Sequence, residues 1–176
     1  MRIVLVGKSC SGKTEISFLL REMGLKIATS STSRPARIGE VDGVDYHFKK
    51  PEDFVRSIEE DSFIEYDVFN GWYYGVDREE FNKCDVLILT PRGLKHLFKN
   101  QDRREVLVIY IDADDVERLV RSRRRGDDSF EILRRYTADE SDFRDFIHNQ
   151  EWDLRIDQKT KGSLRFLIEV LNNKNY

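Results

Sequence analysis

Eight consecutive residues near the N-terminus constrain this chain more than any other segment: Gly7-Lys8-Ser9-Cys10-Ser11-Gly12-Lys13-Thr14 follows the pattern G-x-x-x-x-G-K-[ST] without a mismatch. Such a loop works only between a strand and a helix. Both are written around it: Ile3 to Val6 is apolar and rich in β-branched residues, and Lys13 to Met23 places Ile16, Leu19 and Leu20 at helical spacing. The glycines let backbone amides turn inward around an anion, and the helix N-terminus adds its partial positive charge. In that geometry Lys13 reaches the β and γ phosphates of a nucleoside triphosphate, and Thr14 ligates the Mg²⁺ that comes with them. Cys10 reads as loop filler, because phosphoryl transfer through this loop passes through no covalent intermediate.

The rest of the chain extends the same pattern. Gly24 suits the left-handed position after a helix, and Leu25 to Ala28 begins a second strand candidate. Asp85 to Leu89 and Val106 to Ile111 are near-continuous apolar runs of strand length, as parallel strands covered on both faces require. A polar helical segment from Asp115 to about Ser141 follows, then a weak strand near Leu154 to Ile156 and an amphipathic helix from about Ser163 to Asn172. The stretch from Thr32 to about Phe81, aromatic, charged and punctuated by Gly39, Gly43, Gly71 and Gly75, reads as an insertion between core strands. The expected fold is therefore α/β, a P-loop NTPase-type parallel sheet flanked by helices. The expected organisation is one domain over 1–176, with a core of 1–31, 82–120 and 136–176, an inserted mixed α+β region over about 32–81 and a helical lid over about 121–135.

Composition narrows the function classes. At 176 residues, 39% hydrophobic and 36% charged, the chain can bury a core without metal or disulfide, and no apolar run approaches the roughly 20 residues that span a bilayer. The apolar run ending at Gly7 is too short for a secretory signal, and two cysteines, Cys10 and Cys84, fit a reducing cytoplasm. A net charge of −3 gives no general attraction for nucleic acid or anionic lipid. Anions must be held locally, and Arg121-Ser122-Arg123-Arg124-Arg125 is a local basic cluster within an acidic chain. Alone, such a run reads as a solvated helix face. His47, His96 and His148 show no ligand spacing.

A phosphate loop shows only that a nucleoside triphosphate is bound; the acceptor is read elsewhere. Thr32-Ser33-Arg34-Pro35-Ala36-Arg37-Ile38-Gly39-Glu40-Val41-Asp42-Gly43-Val44-Asp45-Tyr46-His47-Phe48 offers two arginine forks around a proline-stiffened turn and a tyrosine hydroxyl, a set suited to a phosphate monoester. At every fixed position the segment resembles the guanylate kinase signature T-[ST]-R-x-x-[KR]-x-x-[DE]-x-x-G-x-x-Y-x-[FY]. Phe63-Ile64-Glu65-Tyr66 and Gly71-Trp72-Tyr73-Tyr74-Gly75 are similar to that family's F-[LI]-E-[WYH] and G-x-Y-Y-G elements.

The resemblance implies that Arg34, Arg37, Tyr46 and Tyr74 hold the acceptor phosphate and that Glu65 and Ser30 read the base. A carboxylate accepting from N1–H and the 2-amino group favours guanine over adenine, which lacks both donors; the bland reading of Glu65 is a surface carboxylate on a strand. Arg121 and Arg125-Gly126 resemble the family's R-x-x-x-R-G lid entry, and Arg135 the arginine on the helix leaving the lid. Spacing of four puts Arg121 and Arg125 on one helical face. Arg123 and Arg124 fall elsewhere, and Arg134 stays ambiguous because the lid is one residue short of the usual pattern. The catalytic set implied is Lys13, Arg34, Arg121, Arg125 and Arg135.

Two departures stand out. Where the family usually carries D-[IVL]-D-x-Q-G, this chain has Ile88-Leu89-Thr90-Pro91-Arg92-Gly93, so Thr90 faces the acceptor without a charge, and Val76 follows Tyr-Tyr-Gly where serine or threonine is usual. The strand Trp152 to Gln158 resembles D-Y-x-I-x-N only loosely, leaving an adenine contact from Asp157 or Gln158 open. The function implied is ATP- and Mg²⁺-dependent phosphorylation of GMP or dGMP, with nucleotides as the partners and no obligate protein partner. The alternatives are an inactive phosphopeptide-binding module of the same fold and a kinase of the same fold with another nucleotide acceptor.

Overall fold

The computed structural model describes residues 1–69, 71–157 and 167–169. Among them a four-stranded parallel sheet runs in the order β6, β1, β7, β8, formed by β1 (Arg2–Val6), β6 (Val86–Leu89), β7 (Val106–Asp112) and β8 (Leu154–Asp157). Strand alternation explains why these segments are apolar throughout. Val4, Val6, Leu87, Leu89, Val108 and Tyr110 enter one core layer; Ile3, Leu5, Val86, Leu107, Ile109 and Ile111 enter the other.

Helix α1 (Lys13–Glu22) covers the second layer with Ile16 and Leu20. On the first layer lie Leu94 and Leu97 of α4 (Pro91–Asn100), with Phe143 and Phe146 of α6 (Ser129–His148). Leu167, within the helical stretch 167–169, is fully buried in the second layer. The rest of the helix expected over 163–172 lies outside the described residues, as does Gln158.

The inserted region forms a second sheet, in the order β3 (His47–Phe48), β2 (Ser31–Thr32), β5 (Trp72–Asp77), β4 (Phe63–Phe69). Helix α2 (Pro51–Glu59) joins β3 to β4, and α3 (Arg78–Lys83) returns the chain to the core. Phe54 of α2 is fully buried and stacks on Phe63 and Tyr73 at 4.4 and 5.3 Å between ring centroids. Aromatic density in this stretch thus builds a small core of its own.

Two expectations need correction. The strand expected over Leu25 to Ala28 is reduced to one parallel bridge, Ile27 to Val86, because only Lys26 and Ala28 exchange backbone hydrogen bonds with the sheet edge. The single helical segment expected over 115–141 is two helices, α5 (Asp115–Arg124) and α6, separated at Gly126. Gly126 has φ +91°, which ends α5, and the Asp128 carboxylate then accepts from the amides of Phe130 and Glu131 and starts α6 anew. No described helix is long and apolar enough to cross a membrane.

Candidate active site

The phosphate loop joins β1 to α1. Gly12, with φ +95°, stands just before the helix, and a side chain at Gly7 would come within 2.7 Å of the Ile111 carbonyl oxygen. Lys13 Nζ folds back to donate to the carbonyl oxygens of Gly7 and Lys8 at 2.6 and 3.0 Å. Burial pulls the Lys13 ammonium down to about 8, against the nearby Asp139 charge that opposes this shift. The Ser11 hydroxyl is buried with no hydrogen-bond partner among the described residues, a cost that a ligand oxygen in the loop would remove. Thr14, the second residue of α1, is exposed.

A support that the sequence reading missed comes from α5 and α6. Arg118 and Asp139, with side chains each 3% exposed, form a buried ion pair. Arg118 Nε donates to the Ser9 carbonyl at 2.8 Å, and Asp139 accepts from the Ser9 amide at 2.9 Å and from its hydroxyl at 3.2 Å. Lys8 pairs with Glu140, and Arg121 donates to the Cys10 carbonyl at 3.3 Å. The loop is thus held from outside by the same two helices that carry the arginine cluster. No local pattern announces Arg118 and Asp139, which lie on separate helices.

Across the loop lies the acceptor region. Arg34 is 8% exposed and makes a fork-to-fork pair with Glu40, both bonds 2.9 Å. Glu40 also accepts from the Arg37 amide at 2.7 Å and lies 3.7 Å from the Arg37 guanidinium. It positions both arginines, a role that its place as the acidic residue of the signature could have suggested. Burial draws the Arg34 guanidinium down, but the bond to Glu40 together with the charges of Tyr74, Glu40 and Tyr46 leaves it raised. Tyr46 and Tyr74 meet edge to face at 6.1 Å, and Arg34 sits over the Tyr46 ring at 5.4 Å. Ser30 lies beside them, its carbonyl accepting from the His47 amide at 2.9 Å.

Arg125, which caps α5, and Arg135, on α6, lie within electrostatic reach of this cluster. Burial lowers Arg37, and the charges of Arg135, Arg34 and Arg125 lower it further. Arg125 pairs with Asp127, while Arg135 bonds Glu131 at 2.5 Å and lies 3.8 Å from Asp127. Arg134 also pairs with Glu131, at 2.6 Å, whereas Arg123 and Arg124 are exposed. Arg121 keeps to the loop side, 3.7 Å from Glu117.

Glu65 lies on β4, 4% exposed, and its Oε2 is 2.6 Å from where a Cβ on Gly93 would stand. Only glycine leaves room for that carboxylate at the start of α4. Burial, then the neighbouring Asp67 charge, push Glu65 up to about 8. Thr90 caps α4, its hydroxyl accepting from the Gly93 amide at 3.0 Å and donating to Asp67 at 2.6 Å. Val76 is fully buried in the core, so its departure from the usual hydroxyl serves packing.

A parallel core carrying a phosphate loop, an inserted sheet that presents arginines and tyrosines, and a helical turn that adds further arginines define a P-loop nucleotide-binding protein of the monophosphate kinase class. Residues 1–160 match the family model described as guanylate kinase. A guanylate kinase of Fusobacterium nucleatum is 30% identical, over 97% of this chain and 95% of its own length. One from Syntrophus aciditrophicus is 36% identical over 76% of this chain and 68% of its own length. Among solved structures, guanylate kinase from Anaplasma phagocytophilum superposes with a TM-score of 0.72 at 22% identity, covering 99% of this chain and 85% of that one. The chain belongs to the guanylate kinase family.

Proposed function

We propose that this chain transfers the γ-phosphoryl group of ATP directly to the phosphate of GMP or dGMP, releasing ADP and the nucleoside diphosphate. The observation that carries the reading is that Arg34 and Arg37 are gathered on Glu40, with Arg125 and Arg135 within electrostatic reach of Arg37, beside a phosphate loop onto which Lys13 folds back. Glu40, Asp127 and Glu131 hold these guanidiniums as preformed forks whose remaining donors a phosphate can take, and phosphoryl transfer needs such cations around the migrating group. In this reading Gly7 to Thr14 cradle the ATP phosphates. Arg34, Arg37, Tyr46 and Tyr74 hold the acceptor phosphate, and Glu65 with Ser30 reads the base. Arg121, Arg125 and Arg135 belong to a lid over about 121–135 that closes on the nucleotides and excludes water.

The hydroxyl of Thr14 is a hard oxygen donor, as Mg²⁺ prefers, and no cluster of three or more metal-ligating side chains stands among the described residues to draw the ion away from the ATP phosphates. Mg²⁺ would arrive with ATP and neutralise charge on its phosphates. The cell compartment proposed is the cytoplasm, where its nucleotide substrates are made and used. Phosphorus NMR of a mixture of protein, ATP, Mg²⁺ and GMP tests the proposal. Resonances of GDP and ADP should grow together at equal rates, and ADP appearing without GDP would rule the transfer out.

A further inference from the structure

Strand β6 ends at Leu89 and is followed by Thr90, so it brings no carboxylate to the acceptor region. The charge comes instead from β4. Glu65 and Asp67 stand two residues apart on that strand and so share one face. Between Glu65 and Phe69 the pairing with β5 is regular, and it sets Asp67 directly opposite Tyr74, which places both side chains on the same side of the sheet. Tyr74 belongs to the ring pair that flanks Arg34.

The start of α4 completes the arrangement. The Gly93 Cβ position lies 2.6 Å from Glu65 Oε2 and 3.4 Å from Thr90 Oγ1, and that hydroxyl donates to Asp67 Oδ2 at 2.6 Å. Glu65, Thr90 and Asp67 thus form a continuous row across one glycine. Asp67 is met by the Thr90 hydroxyl and by the Val68 amide at 2.8 Å, and no lysine or arginine is among the groups that perturb Glu65. Nearby, Arg92 at the start of α4 is paired with Asp142 of α6 at 3.0 Å.

We propose that Asp67 is a base-reading residue of the acceptor site, accepting together with Glu65 from the donor edge of guanine, with Thr90 as the positioning residue that aims it. The inference rests on the reading of the chain as a GMP kinase. Its chemistry is simple: two adjacent carboxyl groups resist carrying two charges, and the N1–H and 2-amino donors of guanine let both be ionised and satisfied at once. A base that lacks the 2-amino group leaves one carboxylate without a donor, which is where discrimination arises.

The test is the ratio of kcat/KM for GMP over inosine monophosphate, which differs from GMP only by the missing 2-amino group. Wild type should favour GMP strongly. Asp67→Ala should lower that ratio by about tenfold to a hundredfold, the range expected for one hydrogen bond to a charged group. Asp67→Asn, which keeps the volume and an acceptor for Thr90, should lower it as well. Thr90→Val should lower it less, and Thr90→Ser should keep it. Moving the carboxylate to the strand end, Asp67→Ala with Thr90→Asp, should restore much of the ratio, a rescue that a merely structural role would not produce. A wild-type preference for GMP that persists unchanged in Asp67→Ala and Asp67→Asn overturns the inference alone. A wild-type chain that phosphorylates no guanine nucleotide overturns the functional reading, and this inference with it.

Discussion

In the proposed reading the groups that would meet an anion at the phosphate loop come from eight consecutive residues, most of them backbone amides held by Gly7, Gly12 and the first turn of α1. In the acceptor region they would be side chains from scattered places: Arg34 and Arg37 in a loop, Tyr46 before β3, Glu65 and Asp67 on β4, Tyr74 on β5 and Thr90 before α4. The first design fixes charge by local chain geometry and tolerates most side chains at its x positions. The second fixes it by tertiary packing and ion pairing, Glu40 on Arg34, Thr90 on Asp67, Gly93 beside Glu65. Donor binding should therefore be robust and acceptor choice adjustable.

The largest expected effect breaks the donor side at its one indispensable side chain. Lys13→Ala should lower turnover by about a thousandfold or more while circular dichroism stays unchanged, because in the proposed function Lys13 supplies charge at the migrating phosphoryl group and little to the fold. Next comes the brace behind the loop. Removing one partner of the Arg118–Asp139 pair, as in Asp139→Ala, leaves the other charge buried. Chemical denaturation should show a loss of about 3 kcal/mol, and replacing both residues with apolar ones of similar volume should recover most of it.

On the acceptor side, Arg34→Lys keeps the charge but loses the fork that binds two oxygens. The KM for GMP should rise by about tenfold with a smaller change for ATP, measured at saturating co-substrate. The last effect is graded with pH and leaves the chemistry aside. Glu65 sits at about 8 in the fold against an ordinary 4.5, so the stability it carries is complete below about 4.5 and lost as pH rises through about 8. Glu65→Gln should flatten the decline in melting temperature across that window, at about 2–4 °C for each kcal/mol removed.

The same contrast explains what could be read from the sequence. The loop, the core strands β1, β6, β7 and β8 and the inserted region are legible because each rests on contiguous pattern, glycine spacing or apolar runs. The motif residues Arg34, Arg37, Tyr46, Glu65 and Tyr74 are legible only through a resemblance, since no periodicity brings them together. Leu25 to Ala28 has strand composition but stands at the sheet edge, where a single bridge satisfies it. The break at Gly126 is visible as a glycine, yet the polar run on both sides hides that two helices meet there. Arg118 and Asp139, 21 residues apart, and Asp67 with Thr90, 23 apart, are tertiary pairs between different elements. A charged residue in a helix or strand looks solvated until its partner is placed.

Transfer of phosphate from ATP to a guanine nucleotide is decided by initial rates with Mg-ATP and GMP, dGMP, AMP, CMP or UMP in turn, followed by ADP release in a coupled assay. Turnover should be rapid with GMP or dGMP and lower by at least about a hundredfold with the others, in keeping with a site whose buried acceptors demand donors on the base. Equal rates across the five acceptors, or none with guanine nucleotides, would contradict it.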